Sequence, residues 1–273
     1  MSGGRRFDDT PQVEPGSVLQ ELERGDRASV LPRLGGMARA DGVVIVSERF
    51  WAFAGVDGSL REGLMPRPPR TVRSIPLVRG LVRLFASLSP LFRRTGVARK
   101  RERRLLALAV VAPFGLAFVP SWISLAAGFA ITGGLLVWLL RGRTLFLHGA
   151  EHRAIAAAEL HRLRDAWSGA VRPSRFSPRC GTNFAALVMP VAFAGERLWP
   201  LPSAAFTPLA VTVLALAFTT ELWQLVQASS HRALRALLLP GLALQRLTTR
   251  EPKLAETRVA LRAVASVLRR ELG

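Results

Sequence analysis

Residues 105–140 read LLALAVVAPFGLAFVPSWISLAAGFAITGGLLVWLL and carry no charged side chain over 36 positions. As one α-helix this stretch would be about 54 Å long, against a bilayer hydrocarbon core of roughly 30 Å. Two membrane spans of about 16 and 20 residues fit if the chain turns near Pro120 and Ser121. The stretch therefore predicts a helical hairpin that crosses the membrane twice.

Basic residues flank this hairpin and set its orientation. The cluster Arg99–Arg104 precedes it, and a hairpin returns Arg141 and Arg143 to the same side of the membrane. Because positive charge accumulates on the cytoplasmic side of membrane proteins, both ends of the hairpin are predicted to face the cytoplasm.

A second apolar region covers Thr182–Ala228. Its end, Phe206–Ala228, is long enough for a further span, and Pro200, Pro202 and Pro208 mark an outer turn. Its beginning, Thr182–Ala194, contains Pro190 and has fewer residues than the roughly 17 that a crossing needs. It either spans the membrane or forms a re-entrant segment. An even number of crossings leaves both termini cytoplasmic, with His231 and Arg232 on the inner side.

The remaining segments complete the predicted architecture, a mostly α, multi-pass membrane bundle of about four transmembrane helices. The turn-rich segment Gly35–Gly42 leads into Val43–Ser47, whose first four residues are β-branched. This run, the segment Phe50–Val56 and the turn signal Asp57-Gly58 predict a small cytosolic β unit at 43–62. Helical spacing of apolar residues from Pro76 and over Glu256–Leu272 predicts amphipathic interfacial helices. The predicted domains are a polar mobile tail (1–34), the β-containing region (35–75), the membrane domain with a cytoplasmic His/Glu helix at 145–166 (76–228), and a cytosolic C-terminal motif with its amphipathic helix (229–273).

The amino-acid composition limits the classes of partner that the chain is expected to bind. Hydrophobic residues make up 49% of the chain, yet its formal net charge is +19. Such an excess suits nucleic acid or anionic inner-leaflet lipid, since both present phosphates. The charge-free blocks require lipid, so the sequence favours the bilayer as partner and argues against nucleic acid.

Cys180 is the only cysteine, which excludes an intramolecular disulfide. The polar start of the chain predicts no secretory signal peptide.

The segment His148-Gly149-Ala150-Glu151-His152 matches H-x-x-E-H, the order of inverted zincin metallopeptidases. On a helix the two histidines share a face about 6 Å apart, so both imidazoles can reach one metal ion. An adjacent carboxylate, here Glu151, can act as general base on a metal-bound water. The motif predicts a divalent metal site, with zinc as the best-matched ion. Short patterns of this kind also arise by chance on solvated helices.

Such a site needs a third protein ligand. Glu159 lies about 10 Å farther along the same helix and is too distant for the same ion. Glu221, inside the last predicted span, is one candidate, because a carboxylate within a membrane helix is usually functional. Cys180 is the other, as a thiolate beside Arg179. The alternative interpretations are an ion pair for Glu221 and a small buried apolar residue for Cys180.

Several of these segments together resemble the YqhQ-like bacterial membrane proteins, a family with a domain of unknown function that is catalogued as a predicted metal-dependent enzyme. The similarity spans about residues 31–266. It rests on the His motif with Glu159, on Pro178-Arg179-Cys180-Gly181-Thr182, on Glu221, and on the long segment PGLALQRLTTREP at Pro240–Pro252.

The resemblance implies a multi-pass membrane protein with its motifs on one side, but it supplies no reaction. The chain also departs from the family pattern: Ser177, Leu147, Met37 and Asp41 replace a histidine, a tyrosine, a glutamine and a glutamate. Two functions therefore stay open. One is a divalent-metal-dependent hydrolase at the cytoplasmic membrane face, with Glu151 as base. The other is a non-catalytic scaffold or an assembly or transport accessory with a protein partner; a channel or transporter is a third, weaker alternative.

Overall fold

The computed structural model describes residues 15–67, 69–93, 96–116, 119–140, 142–199 and 207–273. Residues 1–14 of the predicted mobile tail lie outside the described residues, as do Pro200 and Pro202, which we expected to form an outer turn. The chain divides into two compact units. Unit 1 combines the chain up to Met65 with Gly142–Phe176 and Thr249–Gly273, and unit 2 combines Pro66–Arg141 with Ser177–Thr248.

Unit 1 contains a four-stranded antiparallel sheet in which each strand pairs with the next. The structure thus confirms an N-terminal β element within a mostly helical chain. Gly35 and Gly36 were expected to lie in a turn and instead belong to the first strand, because pairing with Val46 and Ile45 outweighs the low strand propensity of glycine. The strands are β1 (Gly35–Arg39), β2 (Gly42–Val46), β3 (Phe50–Gly55) and β4 (Leu60–Leu64).

Four helices complete the described part of unit 1, namely α1 (Pro15–Arg27), α6 (Thr144–Glu159), α7 (Leu163–Ser168) and α12 (Leu254–Leu272). Helix α12 covers the whole predicted helical segment Glu256–Leu272, and it packs against β2, β3, α1 and α6. Its apolar side chains lie in the hydrophobic core, where Leu261, Val264 and Leu268 are fully buried. Its apolar face is therefore covered by protein within unit 1.

The predicted His/Glu helix is shorter than expected. We expected helix to about Ala166, but α6 ends at Glu159 and a separate helix, α7, begins at Leu163. His161 between them has a positive φ of 52°. The carboxylate of Asp26 on α1 accepts hydrogen bonds from the backbone N–H groups of Leu163 at 2.7 Å and Arg164 at 3.0 Å. Asp26 thus caps the new helix from a distant part of the chain.

Within the described residues of unit 2, all the regular secondary structure is α-helical. The first apolar block forms two helices that contact each other, as predicted, with the break before Ser121. The segment predicted as Thr182–Ala194 continues through Pro190 as one helix that ends at Leu198. The helices are α2 (Arg70–Arg73), α3 (Val78–Phe92), α4 (Lys100–Leu116), α5 (Ser121–Leu140), α8 (Gly181–Leu198), α9 (Thr207–Ala228), α10 (Arg232–Ala236) and α11 (Leu239–Thr248).

Among the described residues, one helical segment, Leu209–Ala228 in α9, has the length and the mean hydropathy that a membrane crossing needs. About a third of it is buried inside the protein. One segment of this kind is weak support for a membrane protein, and the predicted number of spans stays a prediction.

Candidate metal centre

Helix α6 places His148 and His152 one turn apart, as their spacing predicts. The two ring centroids are 4.5 Å apart in an edge-to-face arrangement. This part of α6 is held by the loop after α11: the backbone N–H of Arg250 donates to the carbonyl oxygen of Leu145 at 2.9 Å. Gly149 permits the close approach, because a Cβ at that position would lie 2.2 Å from the carbonyl oxygen of Arg250.

The two nitrogens of His152 have different environments. Nδ1 lies 2.6 Å from the carbonyl oxygen of Arg175. A carbonyl oxygen can only accept a hydrogen bond, so Nδ1 is the protonated nitrogen. Nε2 is buried and has no hydrogen-bond partner among the described residues. The ring therefore has a fixed tautomer and a buried lone pair on Nε2.

Burial also controls the ionisation of this helix. It is the main reason why the pKa of His152 falls to about 3; the nearby His148 contributes to this decrease, and the hydrogen bond to Arg175 opposes it. Burial raises the pKa of Glu151 to about 8. The Glu151 side chain packs against β1, where a Cβ on Gly36 would lie 2.7 Å from its Cγ. At neutral pH the imidazole of His152 is neutral and the carboxyl group of Glu151 is mostly protonated.

Two arginines fix the backbone that orients His152. Arg153 is buried on α6, and its guanidinium donates to the carbonyl oxygen of Pro173 at 3.0 Å and to Oε1 of Glu251 at 2.6 Å. Arg175 donates to the carbonyl oxygen of Thr249 at 2.9 Å. These bonds connect the segments around residues 173–175 and 249–252 to α6, so the carbonyl that holds His152 is itself supported.

Cys180 belongs to unit 2, where it is the N-cap of α8 and is 8% exposed. Its Sγ accepts hydrogen bonds from the backbone N–H of Thr182 at 3.4 Å and from the Thr182 hydroxyl at 3.3 Å. Both bonds favour negative charge on the sulfur, which is the form that binds metals.

The loop before Cys180 is held by an amide that the sequence did not single out as a site residue. Gln245 on α11 accepts from the backbone N–H of Ser177 at 2.9 Å and donates to the carbonyl oxygen of the same residue at 2.8 Å. Asn183 donates to that carbonyl as well, at 2.9 Å. Gln245 and Asn183 are both fully buried. The only sequence signal for Gln245 is its position inside the motif Pro240–Pro252.

His148 and His152 lie in unit 1, where their imidazoles could share a metal ion, whereas the predicted ligand Cys180 lies in unit 2. Glu221, the other predicted ligand, lies on α9 in unit 2. Its Oε2 is 2.6 Å from the guanidinium of Arg79, and its Oε1 accepts from the backbone N–H of Leu77 at 3.2 Å. Glu159 is exposed at the end of α6. The carboxylate of Glu221 is thus already engaged by a cation within its own unit.

One comparison identifies a related family. The model of a family described as "Protein of unknown function (DUF1385)" matches residues 141–270, which include α6 to α11, most of α12 and all the predicted metal ligands. No curated protein and no solved structure matches this chain. The match agrees with the resemblance to a family whose domain has no assigned function.

Proposed function

We propose that the chain is a membrane-bound, divalent-metal-dependent hydrolase. The proposed site lies within residues 141–270, which match the model of a family of unknown function. In this proposal the imidazoles of His148 and His152 and the thiolate of Cys180 hold the ion, with zinc as the best match. Glu151 is the proton-transfer group, and the site faces the cytoplasmic surface of the membrane.

One observation carries the metal assignment. Metal-binding histidines typically donate one ring N–H to a backbone carbonyl or carboxylate and present the other nitrogen to the ion. His152 has this arrangement, since Nδ1 is bound to Arg175 and Nε2 is buried without a partner among the described residues. A buried nitrogen without a partner is costly, and a metal bond would remove that cost.

Cys180 is the third ligand in this proposal because of chain connection and chemistry. The carbonyl of Arg175 contacts His152, and Cys180 follows five residues later, within about 17 Å of fully extended chain. Thiolate and imidazole are the ligands that zinc prefers, and three of them leave a fourth position for water. Glu221 is less suited, because a bond to the metal would compete with its ion pair to Arg79.

A bound divalent ion would supply an activated water for hydrolysis. The protein would supply orientation and proton transfer. The Arg175 carbonyl keeps the His152 ring in one tautomer, and the two bonds from Thr182 direct the sulfur of Cys180. Glu151, whose side chain is 5% exposed, would hold or release a proton at its carboxyl oxygen in surroundings that largely exclude water.

The membrane location is supported by the surface of unit 2. Large apolar side chains on six of its helices are exposed, and several are more than half exposed, for example Trp122, Phe129, Met189, Phe193 and Phe218. A water-exposed surface of this kind would be unfavourable, whereas lipid tails would cover it. We extend this to the multi-pass topology with cytoplasmic termini and to contacts between the basic residues and anionic lipid headgroups.

The test is metal analysis of the full-length protein purified in detergent without added metal. We expect close to one equivalent of zinc, retained in His231→Ala, whose exposed histidine lies outside the proposed site. His152→Ala should lose the metal, and Cys180→Ser should weaken its binding. The metal assignment is wrong if the wild-type protein binds no stoichiometric zinc, manganese or iron, or if His152→Ala keeps the wild-type content.

A non-catalytic scaffold is the second candidate, and the position of Glu151 favours it. This carboxyl group packs against Gly36 inside unit 1, where a substrate has little access. A scaffold predicts a stable protein partner that co-purifies with the wild-type chain and is lost when Pro240–Pro252 is altered. The hydrolase predicts metal content that His152→Ala removes and no such dependence on a partner.

A further inference from the structure

Unit 1 contains a cavity of about 450 Å³ that no part of the proposed metal site occupies. It lies between the segment that follows Ala166 and the beginning of α12. Its charged lining residues are Arg153, Arg172, Lys253 and Glu251. Three cations thus face one carboxylate around a space of the size that small-molecule sites usually have.

The carboxylate does not neutralise this lining. Glu251 lies 2.6 Å from the guanidinium of Arg153 and 3.6 Å from that of Arg175, so its charge is already compensated. Arg172 and Lys253 are exposed, and neither side chain forms an ion pair within the described part of the chain. The cavity therefore keeps close to two positive charges that no protein group balances.

The apolar part of the cavity lining indicates that a ligand would also have an organic part. Ala166, Val171, Pro252 and Leu254 contribute apolar surface to the same cavity. A phosphate monoester carries about two negative charges near neutral pH, which matches the excess charge of the lining. A guanidinium can bind two of its oxygens at once, and an ammonium can bind the third. A carboxylate would leave one of the two positive charges unbalanced.

We propose that this cavity binds the phosphate monoester of a small organic molecule. Arg172 and Lys253 hold the phosphate, Arg153 keeps Glu251 away from it, and the apolar residues cover the organic part. The inference is independent of the metal assignment, because none of the proposed metal ligands lines the cavity.

The experiment is isothermal titration calorimetry on the full-length protein in detergent, after treatment with a chelator. Glycerol 3-phosphate is the soluble probe and glycerol is its uncharged control. Vesicles that contain phosphatidic acid present the same monoester as a lipid headgroup. Saturable binding of glycerol 3-phosphate identifies a soluble ligand, and saturation by phosphatidic acid vesicles alone identifies a lipid source.

Arg172→Gln and Lys253→Gln should each weaken phosphate binding about tenfold, because each removes one charge-assisted contact. Arg61→Gln changes an exposed arginine on β4, outside the cavity, and should bind like the wild-type protein. The two cavity variants replace exposed side chains, so their circular dichroism spectra should not change. The proposal is overturned if neither probe saturates at millimolar concentration, or if Arg61→Gln weakens binding as much as the cavity variants do.

Discussion

The two units of this chain differ in how far their apolar side chains are buried. Every member of the hydrophobic core cluster belongs to unit 1, including residues of the sheet, α1, α6, α7 and α12. Of the thirty large hydrophobic side chains that are exposed among the described residues, twenty-four belong to unit 2. Unit 1 covers its own apolar surface, whereas unit 2 leaves much of it uncovered.

The difference is consistent with the proposal that unit 2 lies in a membrane. A sheet with helices on a continuous core is stable in water. A set of helices with large outward-facing apolar side chains fits a lipid environment, in which those side chains need no protein cover. The His148 and His152 pair lies in unit 1, the unit that contains the continuous hydrophobic core.

The largest expected effect comes from truncating one large apolar side chain in each unit. Leu261 on α12 is fully buried, so Leu261→Ala should lower the free energy of unfolding by about 2–5 kcal/mol. Phe218 on α9 is 54% exposed, so Phe218→Ala should change it by about 0.5 kcal/mol or less. Urea unfolding in detergent measures both. Equal losses would contradict the contrast between the two units.

The second comparison uses two helical glycines. Gly149→Ala places a Cβ 2.2 Å from the backbone oxygen of Arg250, so the loop must move, and we expect a loss of about 1–3 kcal/mol. At Gly115 on α4 in unit 2, an added Cβ would meet no neighbouring atom of another segment within 4 Å among the described residues. Gly115→Ala should therefore stabilise its helix by about 0.5–1 kcal/mol. Thermal unfolding should shift in opposite directions, and shifts of the same sign would refute the prediction.

The third change tests the loop that carries Cys180. Gln245→Ala removes both hydrogen bonds to the backbone of Ser177 and leaves its N–H unpaired, at a cost of about 1–3 kcal/mol. If Cys180 is a metal ligand, zinc affinity should also fall about 10- to 100-fold, as it does when a group supporting a ligand is lost. Competition with a zinc chelator measures this affinity. Gln20→Ala, at an exposed position on α1, is the control and should change neither quantity.

The smallest expected effect concerns pH and unit 1. Burial alone would raise the pKa of Glu271, but hydrogen bonds from Arg49 and Ser47 outweigh it and hold the pKa below its ordinary value of 4.5. The carboxylate therefore stabilises the folded state above that value, and this contribution is lost as the pH falls through the lowered pKa. Because Arg49 is about half exposed, the effect should be about 1 kcal/mol.

Glu271→Gln checks this prediction through melting temperatures at several pH values. The variant should be less stable than the wild-type protein at pH 7, and the two curves should converge in acid below the ordinary pKa of a glutamate. Glu48→Gln, at a neighbouring exposed carboxylate, should follow the wild-type curve throughout. If the melting temperatures of Glu271→Gln and the wild-type protein differ by the same amount at all pH values, the charge of this carboxylate does not contribute to the stability of the folded state.

Local patterns predicted the elements that depend on local physics. The run Val43–Val46 is β-branched and lies in strand β2, and the apolar block from Leu105 divides before Ser121 into two helices. Features set by distant contacts were missed. The end of α6 depends on a cap from Asp26, which lies 137 residues before Leu163. Strand β1 contains two glycines and exists because β2 pairs with it.

In the candidate site, too, the sequence predicted what depends on local spacing and missed what depends on distant contacts. Helical spacing is sufficient to place His148 and His152 side by side. The support of this pair is not readable from the sequence, because Arg175 is 23 residues from His152 and Gln245 is 68 residues from Ser177. Backbone carbonyls carry no sequence signal, so the distinct environments of the two His152 nitrogens emerge only from the folded chain.

The most direct test of the metal assignment is zinc K-edge X-ray absorption on the purified full-length protein. Coordination by His148, His152 and Cys180 predicts nitrogen neighbours at about 2.0–2.1 Å and one sulfur neighbour at about 2.3 Å. Cys180→Ser should remove the sulfur signal and keep the imidazole signal. A spectrum without sulfur in the wild-type protein, or a sulfur signal that survives Cys180→Ser, would contradict the proposed centre.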